Sequence, residues 1–127
     1  MRDAAKVALA LVAGIGIGAW GIPALRAQTG PHPAYVVTET KVTDPAGFTE
    51  YMRGEPATLA PYHGRALARA LPDTREGAPP EGMVSILGFD SLQDANRWYN
   101  SPEYSKLTEL RRKSAASRIY LLDGVVK

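Results

Sequence analysis

The sequence predicts an α+β domain with the element order β-α-β-β-α-β and a four-stranded antiparallel sheet. Three observations carry this. A β-branched, alternating run, Tyr35–Val42, leads directly into the helix start Asp44-Pro45. Two further strand-like runs, Arg65–Leu71 and Met83–Phe89, are separated only by a polar stretch rich in proline and glycine. A helix-restart signal, Ser101-Pro102-Glu103, then precedes a last β-branched run. Runs of period two mark strands, and proline just inside a capping residue marks a helix start.

In the first run Tyr35, Val37, Glu39 and Lys41 share one face, and Val36, Thr38, Thr40 and Val42 the other, so polar groups occur mid-strand on both. Asp44 is the expected cap of a helix whose inner side holds Phe48, Tyr51, Met52 and Leu59. Pro56 is expected to kink that helix or to end it near Glu55, and Gly64 to stop the segment. Arg65–Leu71 is the second strand, residues 72–82 a polar connecting loop, and Met83–Phe89 the third and most apolar strand. Ser91 caps a short helix with Leu92, Ala95, Trp98 and Tyr99 inward. Ser101 caps the next, with Pro102 at its first position, Glu103 in the first turn, and Tyr104, Leu107 and Leu110 as its stripe. Arg118–Leu122 is the fourth strand. This order is the ferredoxin-like split βαβ pattern, in which helices cover one face of the sheet. Neither strand face is purely polar, so the second face also needs cover, and a homodimer packed through the sheet face is expected.

At 127 residues without cysteine, the chain suits one small domain lacking disulfides, zinc–thiolate sites and cysteine catalysis. The formal net charge of +2 arises in the first 27 residues, where Arg2, Lys6 and Arg26 stand against Asp3 alone. The remainder is neutral, which makes it a poor partner for nucleic acid. Arg111-Arg112-Lys113, the basic cluster, reads as a solvated helix end complementing the dipole. Residues 1–27 have the layout of a signal peptide: Arg2 and Lys6, an uncharged apolar and glycine-rich run from Val7 to Trp20, then Ala24-Leu25-Arg26-Ala27, with cleavage expected after Ala27. The run is short for a membrane span, has no twin arginine and no cysteine to accept a lipid, so export to a bacterial periplasm or beyond is expected, with no membrane association afterwards. Residues 28–33 read as a flexible leader and 34–127 as the domain.

Ala34-Tyr35-Val36-Val37, the Val42-Thr43-Asp44-Pro45 helix start, Gly64-Arg65 and, most specifically, Trp98-Tyr99-Asn100-Ser101-Pro102-Glu103-Tyr104 together resemble the domain-of-unknown-function 1330 family, over roughly 34–125. That family is similar to the dimeric α+β barrel superfamily, which includes cofactor-independent antibiotic-biosynthesis monooxygenases, haem-degrading monooxygenases and muconolactone isomerases. The resemblance implies a dimer with a pocket between sheet and helices, but no particular reaction. Haem-degrading relatives pair a strand asparagine with a tryptophan and a histidine. This chain has Trp98 and His63, but its first strand lacks the asparagine.

The candidate site residues follow from chemistry. Trp98, Tyr99 and Tyr104 can wall a flat apolar ligand, with Asn100 orienting it, or can be core with Asn100 holding the turn. Arg65 can hold a ligand carboxylate or pair with a nearby acid. Glu39 and His63 are the candidate acid–base groups. Against those roles stand a salt bridge from Glu39 to Arg65 or Arg118 and a solvated loop position for His63. One domain histidine is too few for a metal site, and no cofactor is expected. The expected function is an exported, homodimeric binder of a small, partly aromatic molecule, in its catalytic form a cofactor-independent oxygenase or isomerase. The alternative is a non-catalytic structural or interaction module.

Overall fold

A computed structural model describes residues 32–126, of which His32–Val125 form one compact unit. The expected signal peptide and most of the leader lie outside the described residues. Its last two residues do not hang free: the Pro33 carbonyl accepts from Gly124 N at 2.8 Å, and His32 Nδ1 lies 3.2 Å from an Asp123 carboxylate oxygen. No described helix is long and apolar enough to cross a membrane.

The elements are β1 (Ala34–Val42), α1 (Pro45–Leu59) continued by a 3₁₀ turn (Ala60–Tyr62), β2 (Arg65–Ala70), β3 (Met83–Phe89), α2 (Leu92–Tyr99), α3 (Pro102–Ser114) and β4 (Ala115–Asp123). The sheet order is β2-β3-β1-β4 with every neighbouring pair antiparallel, so the two central strands are the first and third in sequence. The β-α-β-β-α-β order and the α+β class are as the pattern predicts, with the second helical region divided in two.

The register assigns the faces. Val36 pairs with Leu87 and Leu121, and Thr38 with Ser85 and Ile119. On this side Val36, Leu87 and Phe89 are fully buried against Phe48, Tyr51, Leu59, Ala95, Trp98 and Tyr104 of the helices. The opposite side presents Tyr35, Val37, Val84, Ile86, Tyr120 and Leu122, with no helix of the described residues over it. Tyr120 and Leu122 keep 44% and 51% of their surface accessible there.

Four local expectations are corrected. Helix α1 does not end near Glu55 but runs through Pro56 to Leu59. Proline forfeits one helical hydrogen bond, but Glu55, Thr58 and Leu59, which bracket it, are all buried, so packing holds the last turn. Asp44 occupies the cap position without a side-chain cap bond; Thr43 N and Asp44 N instead donate to the Ser114 carbonyl, tying the start of α1 to the end of α3. The left-handed residue ending the 3₁₀ turn is His63, at φ 59°, not Gly64. Gly64 is required for a different reason: a Cβ there would stand 2.6 Å from the Phe89 ring. Strand β4 begins at Ala115, three residues before the expected start, because α3 passes into it without a loop.

The break between α2 and α3 is built on Ser101, which is buried. Its Oγ accepts from Tyr104 N at 3.1 Å and donates to the Trp98 carbonyl at 2.7 Å, so one hydroxyl closes both helix ends. Ser101→Ala should lower unfolding free energy by about 1–2 kcal/mol. Urea denaturation measures this, and an unchanged midpoint would mean that packing alone holds the break.

Candidate functional site

The aromatic side chains of the seven-residue stretch point into the core. Trp98 and Tyr104, each 1% exposed, stack at a centroid separation of 4.0 Å with ring planes 34° apart. Phe89 lies 5.5 Å from Trp98, Tyr51 6.3 Å from Tyr104, and Tyr99 within 6.3 Å of both members of the stack. Trp98 and Tyr104 therefore fill the interior rather than wall an open pocket, which corrects the ligand-wall expectation for these two. Tyr99, one residue further round α2, is only partly buried and does border open space.

Beneath the stack runs an ordered chain of polar groups. Tyr51 donates its hydroxyl proton to Glu55 Oε2 at 2.8 Å, and having only one proton it accepts at 2.8 Å from the Tyr104 hydroxyl. Arg69 Nη2 donates to Glu55 Oε1 at 2.6 Å, compensating a carboxylate that is 4% exposed. The Arg111 guanidinium interacts with the Tyr104 hydroxyl at the other end. Trp98 Nε1 donates to Thr58 Oγ1 at 2.9 Å, and Thr58 in turn donates to the Glu55 carbonyl. Burial pushes the Tyr51 hydroxyl far above the usual tyrosine range, reinforced by Tyr104 and Glu55 beside it. Burial also raises Tyr104, against the opposing pull of Tyr51 and Arg111.

Arg111 is the principal surprise. It does not belong to a solvated helix end: it is 5% exposed, and only Arg112 and Lys113 face outward. Its position seven residues after Tyr104, on the same helix face, is the signal that could have found it. Glu55, four residues from both Tyr51 and Leu59 on the inner side of α1, carries the same kind of signal.

Where β4 edges the sheet, Arg111 lines a cavity of about 530 Å³ with Tyr99, Arg112, Ala115, Ser117 and Ile119 among its other walls. A neighbouring cavity of about 290 Å³ shares Tyr99 and Arg112 and adds Asn100, Ser105, Thr108 and Glu109. Asn100 thus borders open space while its side-chain amide also donates to the Asn96 carbonyl, holding the turn.

The remaining candidates stand elsewhere. Glu39 is on the sheet face away from the helices, where Arg118 Nη2 donates to it at 2.9 Å and the Tyr120 hydroxyl at 3.2 Å. There it borders a depression of about 360 Å³ with Lys41, Glu81 and Arg118. Its salt-bridge partner is Arg118. Arg65 instead lies 3.6 Å from Asp90, and both side chains are exposed. His63 is exposed and shares a 3.2 Å hydrogen bond with Asp94. The fold also brings Asp90 close, so that His63, Asp90 and Asp94 place one potential ligand atom each within 4.8 Å of one another, a grouping that counting histidines missed. All three are at least partly solvated, and Arg65 lies 3.6 Å from Asp90.

The fold and its helix-covered core define a ferredoxin-like α+β domain. Residues 33–125 match the model of the domain of unknown function DUF1330, and the chain belongs to that family. It is similar in structure to a protein of unknown function from Rhodopseudomonas palustris, with 16% identity and a TM-score of 0.59 over 79% of this chain and 88% of that one. It is also similar to SnoaB, a cofactor-independent oxygenase from Streptomyces nogalater, with 18% identity and a TM-score of 0.55 over 73% of this chain and 93% of that one. At such identities the likeness is one of fold. Among curated proteins no match was found.

The raised tyrosines make stability fall at high pH. As pH rises past about 10 the unfolded chain ionises both hydroxyls while the folded chain holds them protonated to higher pH, so the unfolded state binds fewer protons there. Their contribution is complete below pH 10 and is lost as pH rises further, with Tyr51 alone steepening the decline by up to about 1.4 kcal/mol per pH unit. Urea unfolding between pH 8 and 11 should show this decline, and Tyr51→Phe should make it shallower. An unaltered slope in that variant would place the alkaline sensitivity elsewhere.

Proposed function

We propose that this protein is an exported homodimer that binds a small, partly aromatic molecule in the cavity beside Tyr99. The observation that carries the reading is the cavity itself. Its volume of about 530 Å³ lies in the range of small-molecule sites, and it has one aromatic wall and a few convergent polar groups. Native mass spectrometry of material purified from its own compartment tests the reading, with a co-purifying small molecule as the expected result. Ligand-free protein that also fails to bind a panel of flat aromatic compounds would overturn it.

A catalytic form, a cofactor-independent oxygenase or isomerase, draws support only from the shared fold with SnoaB. Proton removal by Glu39 or His63 draws none, since Glu39 faces the other side of the sheet and His63 is paired with Asp94. The non-catalytic module has one observation in its favour: Trp98 and Tyr104 are fully enclosed.

The homodimer reading rests on the uncovered face. Tyr35, Val37, Val84, Ile86, Tyr120 and Leu122 form an apolar surface around the Glu39–Arg118–Tyr120 cluster, and an antiparallel sheet can leave one face in water, but a contiguous apolar face of this kind favours cover by a partner. A second copy packed sheet to sheet supplies it, in an interface toward or above about 1,600 Å² of total buried area. In sedimentation equilibrium at micromolar concentration the wild type should be dimeric, and Val84→Asp, on the open face, should dissociate or aggregate. A folded, monomeric wild type would defeat the dimer.

Export rests on the Arg2, Lys6, apolar run and Ala27 layout. N-terminal sequencing of secreted material should begin at Gln28, and an intact Met1 would favour an uncleaved anchor instead.

A further inference from the structure

The geometry points to an anionic ligand: we infer that the cavity beside Tyr99 takes a flat unsaturated carboxylate, whose charge is held by Arg111 and Arg112 and whose body lies along Tyr99. This rests on the small-molecule reading above and names the class of molecule.

The first observation is the state of Arg111. Arg111 is 5% exposed, and among the described residues it forms no ion pair and its Nε has no hydrogen-bond acceptor. A guanidinium in that state retains an unsatisfied donor and an uncompensated charge in a place of low dielectric, both costly unless something arrives to meet them. Arg69, whose Nε also lacks an acceptor among the described residues, differs because it is only partly buried and Glu55 already pairs with it.

The second observation is the make-up of the walls. Arg111, Arg112, Ser117 and Tyr99 are among the residues that line the larger cavity, and none of its lining residues is acidic. A planar fork of N–H donors matches a carboxylate, and a ring beside it accommodates an unsaturated body. Alanine at 115 and 116 and Ile119 leave the remaining lining apolar and small. The third observation is rigidity. The positive charge of Arg111 acts on the Tyr104 hydroxyl, and that hydroxyl is hydrogen-bonded through Tyr51 to Glu55 and Arg69. Recognition by a pre-positioned guanidinium loses less ordering entropy than recognition by a free surface arginine.

The test compares two probes of equal shape, 2-naphthoate and 2-naphthamide, added to the mature wild-type protein. NMR follows the Arg111 Nε–H and the Tyr99 ring. 2-Naphthoate is expected to shift both signals, with 2-naphthamide at least about tenfold weaker. Arg112→Gln, at an exposed position, should weaken 2-naphthoate several-fold and leave 2-naphthamide unchanged. Arg111→Gln should abolish the preference between the probes. Should that variant fail to fold, the wild-type Arg111 signal and Arg112→Gln still decide. Equal binding of the two probes at Tyr99 would overturn the anion assignment while leaving the small-molecule reading intact. No shift at either residue with either probe would overturn the assignment as well, and native mass spectrometry would then judge the wider reading separately.

Discussion

The stacking of Trp98 on Tyr104 is the contact from which the rest of the structure takes its arrangement. Two large rings can meet at 4.0 Å only if the helix carrying the first stops and the helix carrying the second starts at a new angle. Ser101 makes that break stable by closing both helix ends with one hydroxyl. The rings bring polar atoms with them, and a buried indole N–H or phenol without a partner would cost as much as the ring's burial gains. Thr58 and Tyr51 meet that need from α1, so the stack also determines how α1 lies against α2 and α3.

The polar chain that results has two ends of different character. At one end Arg69 closes on Glu55 and the charges cancel within the protein. At the other, the charge of Arg111 acts on the Tyr104 hydroxyl beside a cavity and has no ion-pair partner among the described residues. The same network therefore serves as core reinforcement on one side and as a rigid mount for a cation on the other. A buried ion pair adds little net stability, which makes its specification of geometry the more consequential effect here.

The sheet divides the protein's surfaces in a parallel way. Its helix side is complete within one chain, with Val36, Leu87 and Phe89 enclosed. Its far side alternates apolar residues with the Glu39–Arg118–Tyr120 cluster, so polar and apolar groups share the face that the helices leave uncovered.

By itself the sequence determined the order and kind of the elements, since period, capping residues and proline placement are local properties. Tyr35–Val42 alternates, Ser91 and Ser101 cap, and Pro102 opens a helix in the sequence as in the fold. It also determined that Trp98 and Tyr104 would be central, without deciding whether they bound a ligand or formed the core. Only the tertiary structure decided that, because it depends on whether Thr58 and Tyr51, 40 and 53 residues away, arrive to satisfy their polar atoms. The same holds for Pro56, tolerated because the last turn of α1 is buried, and for Arg111, which composition assigns to a solvated run and packing places inside. Burial and pairing are relations between distant segments, and a single chain read in order contains the residues for them but not the distances.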